Sequence, residues 1–210
     1  MQPHAADTPA GQIIAAFDLD GTLTRRDTLP AFLAFACGWP RLLLGAVVLL
    51  PRLVAMRLGL LPRAHAKAAV LAHYLGGWEH SRLQALGQRF ADAYMPGILY
   101  ADGLGRLAWH RAQGHRCFLV TASPDIWTAP WAAAQGLELV ATRAEIRQGR
   151  FTGAFDGPNC RGPEKVRRLL AALDGQRPAF VYAYGNSAGD RELLAWADEA
   201  HYRPFSQPAT

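Results

Sequence analysis

Cysteine is scarce in this chain. Cys37, Cys117 and Cys160 are an odd set with no CxxC spacing, which excludes a disulfide framework and fits a reducing compartment. Paired histidines are missing too. The seven histidines form no HxxxH or HExxH pair, so a histidine-ligated metal is not expected. Residues 1–11 show neither a basic n-region nor an apolar h-region, and no secretory signal is expected. Charged residues make up 19% and apolar residues 50% of the 210, which excludes a disordered chain and suits one domain, or one domain with an insertion.

What charge there is leans one way. Lys and Arg exceed Asp and Glu by 22 − 17 = +5, which points to an anionic partner: nucleic acid, an acidic membrane surface or a phosphorylated substrate. Nucleic acid is set aside, because no basic cluster is interleaved with aromatics.

Short apolar runs mark buried parallel strands at Ile13–Phe17, Cys117–Thr121, Leu137–Thr142 and Ala179–Tyr184. Helical patterns separate them at Ala101–Gln113, Pro124–Gln135, Pro163–Leu173 and Ala188–Ala197. Pro124 and Pro163 are placed in first helical turns, where proline is tolerated. The alternation predicts a doubly wound α/β sheet. Arg147–Phe155 reads as a β-hairpin turning at Gly149 or Gly153. The stretch from Asp27 to about Met95 has no strand and is too long for a loop. It reads as a helical subdomain inserted above the carboxyl edge of the sheet.

Leu42–Leu61 within this insert has the length of a membrane span. Arg52, Arg57 and Pro51 offset its apolar gain, and a crossing would strand the first β-strand on the wrong side of a bilayer. Pro-Arg recurs at 40–41, 51–52 and 62–63, a spacing that puts the arginines on one stripe if the helices are collinear. Two readings stay open: buried insert helices with solvated arginines, or an interfacial element whose arginines meet anionic lipid.

Four motifs follow strands or begin helices. Asp18 and Asp20 in FDLDGT share one side of a strand end, where one carboxylate can attack phosphorus and the other can protonate the leaving oxygen. Thr121 could donate to a phosphate oxygen, and Ser123 is expected to cap the next helix. Lys165 follows Gly162-Pro163-Glu164 near a helix start and would neutralise phosphoryl charge, or else is a surface lysine. In Gly185-Asn186-Ser187-Ala188-Gly189-Asp190, oxygen donors suit Mg²⁺, while Asn186 or Ser187 could equally cap a helix. All four fall at the edge where open α/β sheets bind ligands.

In this order the motifs resemble the haloacid dehalogenase superfamily of phosphohydrolases, over about residues 13 to 203. The insert resembles the helical C1 cap of subfamily IB, which includes phosphoserine phosphatase-like enzymes. The resemblance implies a Rossmannoid core over 12–26 and 96–205, a cap over 27–95, and flexible termini at 1–11 and 206–210. It implies Asp18 as nucleophile forming a phosphoaspartyl intermediate and Asp20 as general acid and then base. Thr121 and Lys165 would hold phosphate, and Mg²⁺ would lie on Asp18, Asp20, Asn186 and Asp190. Asn186 departs from the family's usual Asp and brings no charge to the metal. Asp27 is either an N-cap or the acidic group that phosphoserine phosphatases offer to the substrate amine. The expected function is hydrolysis of a small phosphorylated metabolite in the cytoplasm. The insert is also similar to that of phosphatidylglycerophosphatase C, so a phospholipid precursor handled at the inner membrane is the alternative, and a non-hydrolytic phosphate-binding regulator is a third.

Overall fold

The structure, a computed structural model, describes residues 11–206, apart from the side chain of Arg63. The termini expected to be flexible lie outside this range except at Gly11 and Ser206. Five parallel strands form one sheet in the order β3-β2-β1-β6-β7: β1 (Ile13–Phe17), β2 (Arg116–Pro124), β3 (Glu138–Thr142), β6 (Phe180–Gly185) and β7 (Glu199–Tyr202). The fold is thus the expected α/β class. β7 has no apolar run to mark it, because EAHY is polar and sits at the sheet's edge, where no such run is required.

Alternation along the strands sends side chains to two cores. Ile14, Ala16, Phe118, Val120, Val181 and Ala183 pack against Leu169 and Leu173 below and Leu193 beside them. These leucines belong to or adjoin α7 (Pro163–Ala172) and α8 (Arg191–Trp196). Ala15, Phe17, Cys117, Leu119 and Tyr184 face the other way, toward Leu107 of α5 (Ala101–Ala112) and Trp127 and Trp131 of α6 (Asp125–Ala134). This second core runs on without a break into the helices that follow β1: α1 (Thr28–Cys37), α2 (Trp39–Arg57), α3 (Arg63–Leu75) and α4 (His80–Ala93). Phe32 stacks on Trp127 at 4.6 Å and meets Phe90 edge-on at 5.3 Å.

Several boundaries shift for physical reasons. β2 continues past Thr121 to Pro124 through a register irregularity, a device that re-aims side chains beside sites. Pro124 therefore ends a strand, in extended conformation, and α6 opens at Asp125. α8 begins at Arg191, three residues later than the pattern suggested, because the loop before it is held by Asp190. The hairpin pairs β4 (Ala144–Arg147) with β5 (Arg150–Phe155), turning at Gln148-Gly149 with both φ positive. Gly153 lies inside β5, where the backbone of α3 approaches closely. α2 runs straight through Pro51 and ends at Arg57. Arg41 and Arg52 share that helix, but Arg63 opens a separate one, so the three Pro-Arg pairs form no single stripe.

Gly87 joins the insert to the sheet layer. A Cβ there would lie 2.0 Å from the carbonyl oxygen of Ile126, so α4 and α6 touch backbone to backbone. Gly87→Ala is expected to destabilise by roughly 1–3 kcal/mol despite alanine's better helix propensity. Thermal denaturation checks this; an unchanged or raised midpoint would contradict the packing.

Candidate active site

The site is built where β1, β2 and β6 end. Phe17 closes β1 and stacks on Tyr184 of β6 at 4.4 Å, which leaves Asp18 as the first residue beyond the buried strand. The Asp18 N–H donates to the Tyr184 carbonyl, extending the sheet by one bond. Its carboxylate is nearly buried. Oδ2 accepts from the Thr22 hydroxyl at 2.9 Å and Oδ1 from Lys165 Nζ at 2.6 Å. Gly21 makes the turn possible twice over. Its φ of +77 suits glycine, and a Cβ would lie 2.1 Å from the Asn186 amide nitrogen.

Lys165 is buried, not the surface lysine it could have been. Its ammonium donates to Asp18 Oδ1, Asp190 Oδ1 and the Val120 carbonyl at 2.6–2.7 Å, which uses all three of its hydrogens. Burial works against its charge, but the two carboxylates outweigh burial and hold the lysine above its ordinary range. Burial would raise Asp190 as well, yet Lys165 and Ser187 keep it below the ordinary carboxylate range. Asp190 Oδ2 accepts from the N–H groups of Asn186 and Ser187 and from the Ser187 hydroxyl. Neither Asn186 nor Ser187 caps a helix, since α8 starts beyond them. For Asp18 the balance differs: burial dominates over Lys165 and pushes it from 3.8 to about 6.

Asp20 projects the other way, toward the insert. Oδ1 accepts the Thr28 N–H at 2.6 Å and Oδ2 the Ser123 hydroxyl at 2.5 Å. Asp20 thereby serves the start of α1 from eight residues upstream, while Asp27, at the N-cap position, makes no capping bond with its side chain. Ser123 likewise leaves α6 uncapped and is spent on Asp20. Both expected caps are overridden by the aspartate between them.

A cavity of about 390 Å³ opens over these groups, lined by Asp18, Asp20, Asp27, Ser123, Lys165, Asn186 and Asp190 among others. The structure thus gathers six of the seven residues singled out from the sequence. Thr121 stands just outside: it is buried, and its Oγ1 accepts the Ser123 N–H at 3.0 Å. Two cations on the lining were not foreseen, Lys67 from α3 and Arg161. Lys67 Nζ donates to the Ala122 carbonyl at 2.6 Å. Burial, opposed by Asp20 and Asp27, lowers it to about 8. A lone lysine in an alanine-rich helix carries no motif; only its entry from a neighbouring helix makes it part of the site. Asp27 is raised by burial and by Asp20, with Lys67 opposing.

No three His, Cys, Asp or Glu side chains gather as a metal cluster among the described residues. The oxygen donors are of mixed kind. Asn186 Oδ1 is buried without a hydrogen-bond partner among them, an arrangement whose cost is relieved by a bound ion or water. Together with the Asp18 carboxylate it fits a hard cation such as Mg²⁺.

The model of the haloacid dehalogenase-like hydrolase family matches residues 15–195. The chain belongs to that family. Protein CicA of Caulobacter vibrioides is 39% identical over 206 residues, spanning 97% of this chain and 91% of that one. A probable phosphatase of Mycobacterium tuberculosis is 27% identical, spanning 92% of this chain and 69% of that one. Among solved structures, a Bordetella pertussis protein of unknown function superposes with a TM-score of 0.76 at 29% identity, over 89% of this chain and 87% of its own. Substrate-bound phosphoserine phosphatase shares the fold, with a TM-score of 0.63 at 14% identity over 91% and 85% of the two chains.

The raised Asp18 carboxyl has a consequence for stability. A carboxyl moved from 3.8 to about 6 is disfavoured as an anion in the fold, so stability is lost as pH rises through that window, by roughly 3 kcal/mol at neutral pH. Asp18→Asn in metal-free buffer is expected to keep or raise the melting point at pH 7 and to flatten its fall between pH 4 and 6. A clear drop would show that the attraction of Lys165 outweighs the cost of burying the Asp18 carboxylate.

Proposed function

We propose that this hydrolase is a Mg²⁺-dependent phosphomonoesterase of subfamily IB type, acting through a phosphoaspartyl intermediate on a small charged metabolite. The single observation that carries the reading is the pair of carboxylates at one strand end: Asp18 is tied to a buried lysine, and Asp20 is tied to the insert. Residues 12–26 and 96–205 act as the core, and residues 27–95 as a C1-type cap that supplies part of the cavity.

A carboxylate oxygen of Asp18 attacks phosphorus and the ester bond to the leaving oxygen breaks. Asp20 donates the proton that the departing alkoxide needs, then accepts a proton from the water that attacks the phosphoryl group, releasing phosphate and freeing Asp18. Thr22 and Lys165 fix the nucleophile's orientation, which removes much of the entropy cost of attack. Lys165 also opposes charge on the phosphoryl oxygens. Thr121, buried just outside the cavity, accepts the Ser123 N–H with its oxygen and so holds the end of β2 behind the phosphate site; it would reach a phosphate only if the ester entered more deeply than the lining of the cavity. Mg²⁺, held by Asp18, Asn186 and the main-chain carbonyl of Asp20, would neutralise developing charge. Asp190, whose oxygens are engaged by Lys165 and the 186–187 backbone, supports this set by holding the loop.

Beyond the reacting groups the cap side of the cavity offers one anion, Asp27, and a cation, Lys67, with Arg161 beside them. That mixture suits a phosphomonoester carrying charges of both signs, as a phosphorylated amino acid does. A release assay with phosphoserine, sugar phosphates, histidinol phosphate and phosphatidylglycerophosphate tests the reading. Turnover is expected for a small soluble ester, abolished by EDTA and restored by Mg²⁺. Asp20→Asn should lower kcat by roughly 10²–10⁴-fold. Metal-independent turnover, or none with any ester by folded protein in Mg²⁺, contradicts it.

Lys67 supplies a pH test. Its charge is lost as pH rises through about 8, so KM for an anionic substrate is expected to rise above that pH while kcat holds. Lys67→Met should raise KM at pH 7 and remove the alkaline limb. A limb unchanged in the variant would mean that Lys67 does not contact substrate.

A further inference from the structure

α2 shows an apolar face to solvent. Its inward seam, Leu42, Gly45, Ala46, Leu49, Leu53 and Met56, is buried or half-buried, and Tyr74 of α3 bonds the Leu42 carbonyl at 2.6 Å. At about 100° per residue, Leu43, Leu44, Val47, Val48, Leu50 and Val54 lie opposite that seam. All six are exposed, Leu44 and Val47 at 71% each. Leu58 and Leu60 extend the surface past the helix end. The same projection puts Arg41 and Arg52 on one flank and Arg57 on the other, each exposed. From Thr28 to Trp78 the sequence holds no Asp or Glu, against five Lys and Arg.

We propose that this face of α2 lies in the surface of an anionic bilayer. An apolar stripe bordered on both sides by arginines is the arrangement that buries side chains among acyl chains while cations meet headgroup phosphates. The absence of acidic residues over 28–78 removes any repulsion from anionic lipid. α2 does not cross the membrane, because its inner seam is covered by α1 and α3 of the same fold. Nor does the face suit a second copy. Pairing two such faces would bring like charges together, since Arg41, Arg52 and Arg57 border each one.

The surface is separate from the catalytic reading. Flotation of the full chain with phosphatidylcholine vesicles, with and without phosphatidylglycerol, tests it. Binding is expected to the anionic vesicles at low salt and to weaken strongly at 0.5 M salt. Replacing Arg41, Arg52 and Arg57 with Gln should weaken it on the order of a hundredfold, at about fivefold per charge. Leu44→Ser with Val47→Ser should weaken binding at both salts. Asp18→Asn should bind vesicles as wild type does, so loss of catalysis and loss of binding are told apart, and both α2 variants should hydrolyse a soluble ester normally. No flotation of folded protein at low salt, equal binding to neutral vesicles, or a dimer broken by the Leu44/Val47 pair without vesicle binding would each overturn the proposal.

Discussion

A buried ammonium holds the sheet edge together. Lys165 reaches from the first turn of α7 under β2 to Asp18 after β1 and Asp190 after β6, and its third hydrogen goes to the Val120 carbonyl. Two carboxylates this deep would repel each other and resist ionisation without it. With it, Asp190 stays an anion and can anchor the 186–187 loop, whose amide side chain then packs against Gly21. The positions of the turn after β1, the loop after β6 and the start of α7 are therefore one interlocked choice. A helix N-terminus is an unfavourable place for a cation, and the two aspartates are what reverse that preference here.

Asp20 does for the insert what Lys165 does for the core. Its two oxygens join the β1 turn to the start of α1 and to Ser123 beyond the irregular end of β2. α1 therefore begins at a fixed place relative to the strand ends. The hairpin β4–β5 supports the other side: Gly77 and Trp78, after α3, exchange backbone bonds with Phe151, and α3 carries Lys67 to the cavity. Within the insert α3 faces the chemistry and α2 faces away from it. The apolar residues that composition alone would assign to a core are split between a true core and an open surface.

What was legible in the sequence is what local pattern controls. The buried strands of the sheet announce themselves as apolar runs, and the residues just beyond Phe17 and Tyr184 were identifiable because a polar residue after such a run sits at the ligand-binding edge. Long-range hydrogen bonds were not legible. Ser123 and Asp27 have the residue types of helix caps, and nothing nearby in the sequence says that Asp20 takes the Thr28 N–H in place of Asp27 and draws the Ser123 hydroxyl away from α6. Lys67 and Arg161 belong to the cavity only through packing of separate elements. The burial of Lys165 could not be read from its neighbours, since its partners stand 147 and 25 residues away. The collinear helices that a single Pro-Arg stripe requires are not formed, because the chain turns after Arg57 and α3 returns along α2, bringing Tyr74 to Leu42.

The central claim is that Asp18, held by Lys165, is the group that takes up the phosphoryl. Acid quenching during the first turnover with a substrate the enzyme hydrolyses, followed by peptide mass analysis, tests it directly. The account predicts a phosphoryl group on the peptide bearing Asp18, labile to hydroxylamine, and none elsewhere. Hydrolysis with no protein-bound phosphoryl at any time in that turnover, or with the phosphoryl on another residue, would contradict it.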